Sequence, residues 1–394
     1  MKIMIYTHVW APVVGGLQTV TRDLANGLTN WGQSHPGQAI DVTLVTQTPA
    51  GTMNDSGVPF RVVRQPSNRQ LISLIRSADI VHIANPALMP LALGWLLGKP
   101  IVLEHDGYQS ACPNGLFLFQ PDTSVCPGHY LAGRYRKCLD CNATAMGWSK
   151  SLRTLLLTFP RRWLARKVAV NIAPTRHIGR RVALPKTRVI PHGVPEYSTS
   201  AISASPSNHA EVPCFAYVGR LVAEKGLPVL LNACSILCRK GASFRLKIVG
   251  DGTERIHLER LAAELGLGSQ VEFLGSVSVE NIPNLLCEAA AVIMPSIWED
   301  VAPLVAYEQL MHGHLVIASD LGGLGEIVDD VGLKFPAGDA EALAVCMRRV
   351  LEEPDLVKDL RSRALQRARA AFTLEHMVAN HIGVFNELAG TSAG

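Results

Sequence analysis

Two cations in one short loop are the strongest chemical feature of this sequence. Arg220 and Lys225 follow a predicted strand, Cys214–Val218, with Gly219 between the strand and the first cation. A guanidinium offers a planar fork of N–H donors and an ammonium offers a compact charge, so together they suit the two phosphates of a diphosphate. Either cation alone would indicate only a solvated surface charge. Because both follow the carboxyl end of one strand, we predict a phosphate-binding loop here.

Glycines at the ends of two other predicted strands indicate close approach of backbone to a ligand. Gly15 and Gly16 follow the strand Ile3–Tyr6 and precede a helix, whose free N-terminal amides attract a phosphate. This loop lacks the full G-x-G-x-x-G spacing, which disfavours a nicotinamide cofactor. Gly250 and Asp251 follow a later strand and suit a flat ligand such as a nucleobase, although a simple β-to-α turn explains them equally well.

An acidic loop forms the third candidate. Glu299 and Asp300 precede an apolar loop and helix start, and Glu308 follows about two turns into that helix. One carboxylate can meet sugar hydroxyls while Glu308 accepts ribose hydroxyls. Carboxylates within so apolar a run need a purpose, because burying an unpaired charge is costly. The apolar loop between them also belongs to the predicted donor site and comprises Val301, Ala302, Pro303 and Leu304.

His105 stands at the end of the buried strand Ile101–Leu103, where ligands of open α/β sheets bind. A neutral imidazole there can hydrogen-bond a sugar, so we predict a functional role. Asp106 and Tyr108 follow in the same loop and are candidates for the acceptor side.

The candidate loops follow short apolar runs that alternate along the chain with amphipathic stretches. This alternation predicts buried parallel strands joined by helices, and 394 residues are enough for two α/β domains. A Ser-, Asn- and Pro-rich stretch at 198–211 is the predicted linker. Further predicted strands are Asp41–Thr46, Ile80–Ile83, Arg245–Val249, Val271–Phe273, Ala291–Met294 and Val316–Ala318.

Composition narrows the class of protein. A hydrophobic content of 48% with 18% charged residues is typical of a packed globular protein. The formal charge of +4 is too small for nucleic-acid binding as the main task. The N-terminus has no signal-peptide layout and no apolar run reaches about 18 residues, so we expect a cytoplasmic protein.

Taken in order, the motifs resemble the family-4 glycosyltransferases, and the resemblance covers essentially the whole chain. It implies an α/β GT-B fold with two Rossmann-like domains whose parallel sheets face a central cleft. Residues 1–197 would bind the acceptor, 212–372 the donor, and 373–394 would form a helix crossing back to the first domain. The motifs are Gly15-Gly16-Leu17-Gln18, His105-Asp106, Ala173-Pro174-Thr175, Ile190-Pro191-His192-Gly193-Val194, Gly219-Arg220 with Glu224-Lys225-Gly226, Val249-Gly250-Asp251-Gly252, and the acidic pair ending at Glu308.

The resemblance implies retaining transfer of a hexose from a UDP, GDP or ADP sugar to a glycan or lipid-linked acceptor, without a catalytic metal. Bacterial surface polysaccharide synthesis is the usual setting of the family. Gly16 would give an amide to the diphosphate, Arg220 and Lys225 would bind the phosphates, and Glu308 would bind the ribose. Asp300 would contact the donor sugar, and His105 would complete the catalytic set with Asp300, Arg220 and Lys225.

One departure from the family pattern leaves alternatives open. The family has two glutamates separated by seven residues, whereas this chain places Asp300 at the first position and Glu299 one residue too far. We prefer Asp300, with Glu299 as the alternative. An epimerase, a phosphorylase and a non-catalytic nucleotide-sugar-binding scaffold remain rival interpretations of the same architecture.

A cysteine-rich insertion at 111–142 lies outside the shared motifs. Its cysteines include a Cys-x2-Cys pair with zinc-knuckle spacing, so a structural zinc, reduced thiols and a disulfide are all open interpretations. The four candidates are Cys112, Cys126, Cys138 and Cys141.

A basic amphipathic segment at 150–167 also lies outside the motifs shared with the family. It is typical either of a helix on an anionic membrane, at the inner face of the plasma membrane, or of a core helix with a solvated basic face. Pro160 is expected to interrupt it.

Overall fold

The computed structural model describes residues 1–13, 15–35, 37, 39–50, 55–196 and 212–391. The predicted linker at 198–211 and the last residues of the predicted C-terminal segment, 392–394, lie outside these described residues. The chain divides into two compact units. Unit 1 comprises Met1–Gly193 with Leu374–Gly394, and unit 2 comprises Val194–Thr373.

Unit 1 is built on a sheet of seven parallel strands, with helices joining successive strands. Its strands are β1 (Lys2–Thr7), β2 (Asp41–Thr46), β3 (Arg61–Arg64), β4 (Ile80–Ala84), β5 (Ile101–Glu104), the short antiparallel pair β6 (Leu118–Phe119) and β7 (Ser124–Val125), β8 (Val170–Ala173) and β9 (Thr187–Val189). Its helices so far are α1 (Gly16–Ser34), α2 (Asn68–Ser77), α3 (Leu88–Leu96), α4 (Tyr135–Met146), α5 (Trp148–Ala165) and α6 (Arg176–Val182).

The order in the large sheet of unit 1 is β3-β2-β1-β4-β5-β8-β9. The central strands β4 and β5 are buried along their whole length, as continuous apolar runs in a parallel sheet should be. The order reverses between β1 and β4, so their carboxyl ends form a topological switch point. The loop after β1 is therefore placed where a ligand of this sheet would bind, and the loop after β5 lies at the same edge of the sheet, one strand beyond β4.

Unit 2 has the strand order of a Rossmann fold. Its six parallel strands are arranged β12-β11-β10-β13-β14-β15, which is the order 3-2-1-4-5-6 within the unit. The strands are β10 (Cys214–Val218), β11 (Arg245–Val249), β12 (Val271–Gly275), β13 (Ala289–Met294), β14 (Val316–Ser319) and β15 (Leu333–Phe335). The helices are α7 (Leu227–Arg239), α8 (Arg255–Glu264), α9 (Ile282–Leu286), α10 (Leu304–Met311), α11 (Gly322–Val328), α12 (Ala340–Glu352) and α13 (Pro354–Ala371).

The last helix, α14 (Leu374–Thr391), belongs to unit 1 although it follows unit 2 in the chain. It packs on α1 so closely that a Cβ atom at Gly27 would lie 2.3 Å from Val378 Cγ2. Met377 and Phe385 of this helix are fully buried. The core of unit 1 is therefore completed by the distant end of the chain.

The expected interruption at Pro160 is not found. Helix α5 runs from Trp148 to Ala165 with Pro160 inside it. Proline removes one backbone hydrogen bond, and the surrounding turns, anchored by buried Leu155 and Leu164, continue the helix across it. None of the helices in the described part of the chain combines the length and apolar character needed to cross a membrane.

Candidate functional site

Lys225 and Asp300 form a buried ion pair at the switch point of unit 2. Lys225 Nζ donates to both carboxylate oxygens of Asp300, at 2.8 and 2.9 Å, and the two side chains are only 16% and 5% exposed. Ser296 Oγ also donates to Asp300 Oδ2, at 2.5 Å. The loops after β10 and β13 are joined further by the N–H of Ile297, which donates to the carbonyl of Glu224 at 3.0 Å.

This pairing refines the sequence prediction, which gave Lys225 to a phosphate and Asp300 to a sugar. Here each neutralises the other, as a buried charge requires. A phosphate arriving at this loop would compete with Asp300 for the ammonium. Both side chains are therefore held at one point in unit 2.

Arg220 supplies an exposed cation next to this pair. Its side chain is 70% exposed, and its guanidinium lies 3.8 Å from Glu224. The carbonyl of Arg220 accepts a hydrogen bond from Tyr217 Oη at 2.9 Å, which fixes the loop backbone just beyond Gly219. At this distance and exposure the ion pair with Glu224 is weak. The guanidinium is thus free to turn toward an anion.

Gly250 is required by the contact between the loops after β10 and β11. Its φ is +135°, and a Cβ atom there would lie 1.9 Å from the carbonyl oxygen of Gly219. The neighbouring Asp251 is 51% exposed and pairs with Arg255 at 3.3 Å. Its Oδ1 accepts from the N–H of Gly252 at 2.7 Å. The structure therefore gives Asp251 a local role at the start of α8, and its predicted contact with a donor stays a prediction.

The acidic loop rests on a second glycine pair that the sequence interpretation missed. The N–H of Gly323 donates to the carbonyl of Asp300 at 2.7 Å, and a Cβ atom at Gly323 would lie 1.8 Å from the carbonyl oxygen of Val301. Gly322 approaches Glu299 and Asp300 in the same way. Two adjacent glycines after strand β14 were the available clue.

The start of α10 offers free backbone amides beside the acidic loop. Pro303 occupies the N-cap without a side-chain hydrogen bond, and the first turn contains no acidic residue. Unpaired N–H groups and the helix dipole make this end attractive to an anion. Pro303 has no N–H, so of the predicted loop only Val301, Ala302 and Leu304 can donate. Glu308 is half-buried on the same helix.

In unit 1, the N-terminus of α1 also lacks a capping side chain. Gly15 and Gly16 are exposed, no side chain caps the helix, and its first turn has no acidic residue. Gly15 has an extended backbone, and a Cβ atom there would meet nothing within 4 Å. A glycine at 15 is therefore not demanded by packing within the chain.

His105 is held by protein groups on both ring nitrogens. Nε2 lies 2.9 Å from Asn171 Oδ1, and Nδ1 lies 3.4 Å from Ser110 Oγ. The ring is fully buried, and burial lowers the pKa of His105 to about 4. Both ring nitrogens therefore already face protein groups, and the predicted contact of His105 with a sugar stays a prediction. Tyr108 is likewise fully buried, with its ring 4.8 Å from that of Phe117, and fills the core of unit 1.

Asp106 belongs to a buried network that the sequence interpretation did not foresee. His192 Nε2 lies 3.1 Å from Asp106 Oδ1, and His82 Nε2 lies 3.0 Å from Glu104 Oε2. His381 of α14 approaches Glu104 Oε1 at 4.0 Å. The network joins β4, β5 and α14 with the loop that carries His192, so sequence spacing alone could not reveal it.

Charge pairing in this network sets the pKa values. Burial would raise the pKa of Glu104, but the hydrogen bond from His82 and the nearby histidine charges outweigh it and hold that pKa at about 2. Burial together with Glu104 raises the pKa of Asp106. Burial would lower the pKa of His192, yet Asp106 raises it. Two triplets here have ligand atoms within 4.8 Å, as a metal site would need: His82, Glu104 and His381, and Glu104, Asp106 and His192.

Two Rossmann-like units with these loops define a GT-B glycosyltransferase fold, and solved structures agree. Over 99% of both chains, the fold is similar to sucrose-phosphate synthase from Thermosynechococcus elongatus, with a TM-score of 0.72 and 21% identity. Over 98% of this chain and 100% of the other, it is similar to HepE of Anabaena in complex with UDP, with a TM-score of 0.72 and 17% identity.

Residues 200–367 match the family model "Glycosyl transferases group 1". Alpha-D-kanosaminyltransferase of Streptomyces kanamyceticus is 29% identical over 45% of this chain and 46% of its own length. D-inositol 3-phosphate glycosyltransferase of Nocardia farcinica is 32% identical over 46% of this chain and 43% of its own. The matches thus span less than half the length of these curated relatives.

Proposed function

We propose that this chain is a retaining glycosyltransferase that moves a hexosyl group from a nucleoside-diphosphate sugar to a glycan or lipid-linked acceptor. The observation that carries the proposal is the group formed by Lys225, Asp300 and Ser296, with Arg220 beside it, at the carboxyl ends of β10 and β13. The glycosyltransferase relatives support the reaction class. The structural neighbours solved with UDP and with UDP-glucose support the class of donor.

The donor diphosphate takes Lys225 from Asp300 in this proposal. Lys225 and Arg220 then neutralise the charge that develops on the leaving diphosphate, which is the main electrostatic demand of the reaction. The free amides at the start of α10 add hydrogen bonds to phosphate oxygens. Because two side-chain cations and a helix end take this role, no catalytic metal is needed.

Asp300, once released from Lys225, accepts hydrogen bonds from hydroxyls of the donor sugar. Glu308, on α10, accepts those of the ribose. For retention we propose front-face transfer: the bond from the anomeric carbon to the diphosphate breaks, the acceptor oxygen bonds to the same face, and a diphosphate oxygen takes the acceptor's proton.

Donor binding tests this function directly. The substitution Lys225→Ala should weaken binding of the matching nucleoside diphosphate by about ten- to a hundredfold, because it removes a charge-assisted contact worth about 1.5–3 kcal/mol. Asp300→Asn should retain nucleotide binding and lose sugar transfer. Calorimetric titration with UDP, GDP and ADP measures the first effect, and release of nucleoside diphosphate from the sugar conjugate measures the second.

The matched control is Lys240→Ala, since Lys240 is an exposed lysine of unit 2 that pairs loosely with Glu341 at 3.9 Å. It should leave nucleotide affinity unchanged. Equal affinities for the parent chain and Lys225→Ala would refute the phosphate assignment. Tight donor binding without transfer to any acceptor would favour the scaffold interpretation.

We also propose that unit 1 meets its acceptor at an anionic membrane, at the inner face of the plasma membrane. Five apolar side chains on α5 are 40 to 65% exposed. Their spacing of four, four, three and four residues places them within an arc of about 80° on the helix. We call this surface the α5 stripe; it comprises Trp148, Leu152, Leu156, Phe159 and Trp163.

The surroundings of the α5 stripe favour a lipid surface as its occupant. The ring of Trp163 lies 5.0 Å from that of Trp95, and Trp95 and Leu96 extend the apolar surface onto α3. Exposed cations at Lys150, Arg153, Arg166 and Lys167 provide attraction to anionic headgroups. Two other basic residues of the segment do not contribute: Arg161 donates to the carbonyl of Gln109, and Arg162 to those of Val182 and Ala183.

A further inference from the structure

The insertion at 111–142 brings four cysteines from separate stretches of the chain around one small cavity. Cys112, Cys126, Cys138 and Cys141 line it together with His129, and its volume of about 10 Å³ holds one water-sized sphere. All four cysteines are 6 to 7% exposed and none forms a disulfide. We propose that these four cysteines bind one structural zinc ion.

One side chain, Asn114, contacts two of the four sulfur atoms: Cys112 Sγ donates to Asn114 Oδ1 at 2.9 Å, and Asn114 Nδ2 donates to Cys141 Sγ at 3.5 Å. Cys112, Pro113, Asn114 and Gly115 form a turn in which the N–H of Gly115 donates to the carbonyl of Cys112 at 3.0 Å. Burial raises the pKa of Cys112 to about 11, while hydrogen bonds from the backbone N–H groups of Phe117, Gly115 and Asn114 act to lower it. Zinc would replace the thiol protons, and the amide of Asn114 would then be an outer-shell partner of the Cys112 and Cys141 thiolates.

The sulfur of Cys141 has two hydrogen-bond donors near it. Its sulfur accepts from the N–H of Gln120 at 3.3 Å and from Asn114 Nδ2 at 3.5 Å. Cys138 lies one helical turn earlier on α4, and burial with the neighbouring thiols raises its pKa to about 12. An ion would remove the thiol protons at neutral pH, because zinc binds the thiolate form.

Nearby cations match the charge of the proposed site. Zinc with four thiolates carries a net charge of −2, and Lys137 lines the same cavity. Arg181 donates to the carbonyl of Cys126 at 2.6 Å and lies 4.1 Å from the ring centre of Phe117. These cations offset a charge that four neutral thiols would not have.

The insertion also has little else to stabilise it. Its only strands are the two-residue pair β6 and β7, which is far shorter than an independently stable hairpin. A structural zinc ion contributes folding free energy to such loop-rich segments. The ion would tie the turn at Cys112 and the strand pair to helix α4.

Zinc binding must bring the four cysteine sulfur atoms closer to one another. Among the described residues, no three of these sulfurs lie within 4.8 Å of one another, whereas a tetrahedral ion with Zn–S bonds of about 2.3 Å holds them about 3.8 Å apart. The loops that carry Cys112 and Cys126 would move inward, and four thiols with one Zn²⁺ would give a tetrathiolate and four protons. The two histidine and carboxylate triplets of unit 1 are already accounted for by their own ion pairs.

Metal analysis of the purified full-length chain, prepared without a polyhistidine tag, tests the proposal. We expect one zinc ion per chain, released when an organomercurial blocks the thiols. The substitutions Cys141→Ser and Cys138→Ser should each lose the ion. Cys214→Ser and Cys346→Ser, at buried free cysteines of unit 2, should retain it, as should His129→Ala.

Exchange of cobalt into the unsubstituted chain tests the same proposal without relying on variants, which could lose the ion because they misfold. Co²⁺ should give the intense visible bands and thiolate charge-transfer absorption of a tetrahedral four-sulfur site. A metal-free chain in which all nine cysteines titrate as thiols would overturn the proposal in favour of reduced cysteines. Fewer than nine thiols without metal would overturn it in favour of a disulfide, and iron with inorganic sulfide would replace zinc by an iron–sulfur cluster.

Discussion

Glu104 lies at the end of β5 with His82 and His381 against its carboxylate. Its pKa of about 2 is below the usual 4.5, so the folded chain favours the charged form more than the unfolded chain does. The stability that this preference contributes is fully present above pH 4.5. It is lost as the pH falls from about 4.5 to about 2.

The substitution Glu104→Gln should destabilise unit 1 by about 2 kcal/mol at pH 7, because it replaces the hydrogen bond between His82 and a buried carboxylate by one to a neutral amide. The difference from the parent chain should shrink between pH 4.5 and 2, where the carboxylate of the parent becomes protonated. Urea denaturation followed by tryptophan fluorescence measures this, since five of the six tryptophans lie in unit 1.

Glu387→Gln is the matched control. Glu387 also pairs with a cation, Arg188, but its side chain is 59% exposed. Solvent screens such a pair, so its loss should hardly move the denaturation midpoint. Equal effects of the two substitutions would contradict the role assigned to burial at Glu104.

Single residues also show where sequence interpretation stops. Arg220, Lys225 and Asp300 were identified because each follows a predicted strand. Their pairing was not, since Lys225 and Asp300 are 75 residues apart and meet only because β10 and β13 are neighbours in the sheet. His105 was assigned to a substrate because a strand end is a ligand position; that assignment stays a prediction, and the full burial of the ring could not be inferred from position alone.

At the scale of elements, the bounds of some buried strands could be predicted from the apolar pattern of the sequence, whereas the shortest edge strands could not. The predicted strands Cys214–Val218 and Arg245–Val249 have the bounds of β10 and β11. The edge strands β9 and β15 have three residues each, too few for an apolar pattern to stand out. For α5 the composition fitted both a helix on a membrane and a core helix with a solvated basic face. The structure shows that five of its apolar side chains are exposed.

The α5 stripe gives a prediction at this scale. The double substitution Leu152→Glu with Leu156→Glu should reduce binding to phosphatidylglycerol-containing vesicles by at least about tenfold, because each leucine buried in the membrane contributes about 1.5–3 kcal/mol. Both positions are exposed, so the fold should be retained. Vesicle flotation at low and high salt measures binding and its electrostatic part.

Ile256→Glu is the control, since Ile256 is a 73% exposed apolar residue on α8 of unit 2. It should leave flotation unchanged, and vesicles of phosphatidylcholine alone should bind the parent chain weakly. If no vesicle binds and light scattering finds a dimer that the double substitution abolishes, the stripe is a contact between two copies and the membrane proposal is wrong.

For the whole molecule, the alternation of strands and helices predicted two Rossmann-like units because buried parallel strands have a distinctive apolar pattern. The order of the strands within each sheet required the structure. The resemblance implied that the last helix crosses back to the first domain, but the contacts that α14 makes in unit 1 required the structure. The stability of unit 1 must therefore depend on residues that follow the whole of unit 2 in the sequence.

A chain ending at Thr373 should lose the fold of unit 1 and keep that of unit 2. The deletion removes Met377, Val378 and Phe385 from the core of unit 1 and takes His381 away from Glu104. The cluster that contains Met294, Tyr307 and Phe372 lies within residues 194–373 and remains complete. Hydrogen exchange read by mass spectrometry should show fast exchange in β1, β4 and β5, with protection retained in β10, β13 and β14. Equal loss of protection in both sheets would mean that the chain folds as one cooperative body, whereas undiminished protection of β4 and β5 would mean that α14 is dispensable to the core it covers.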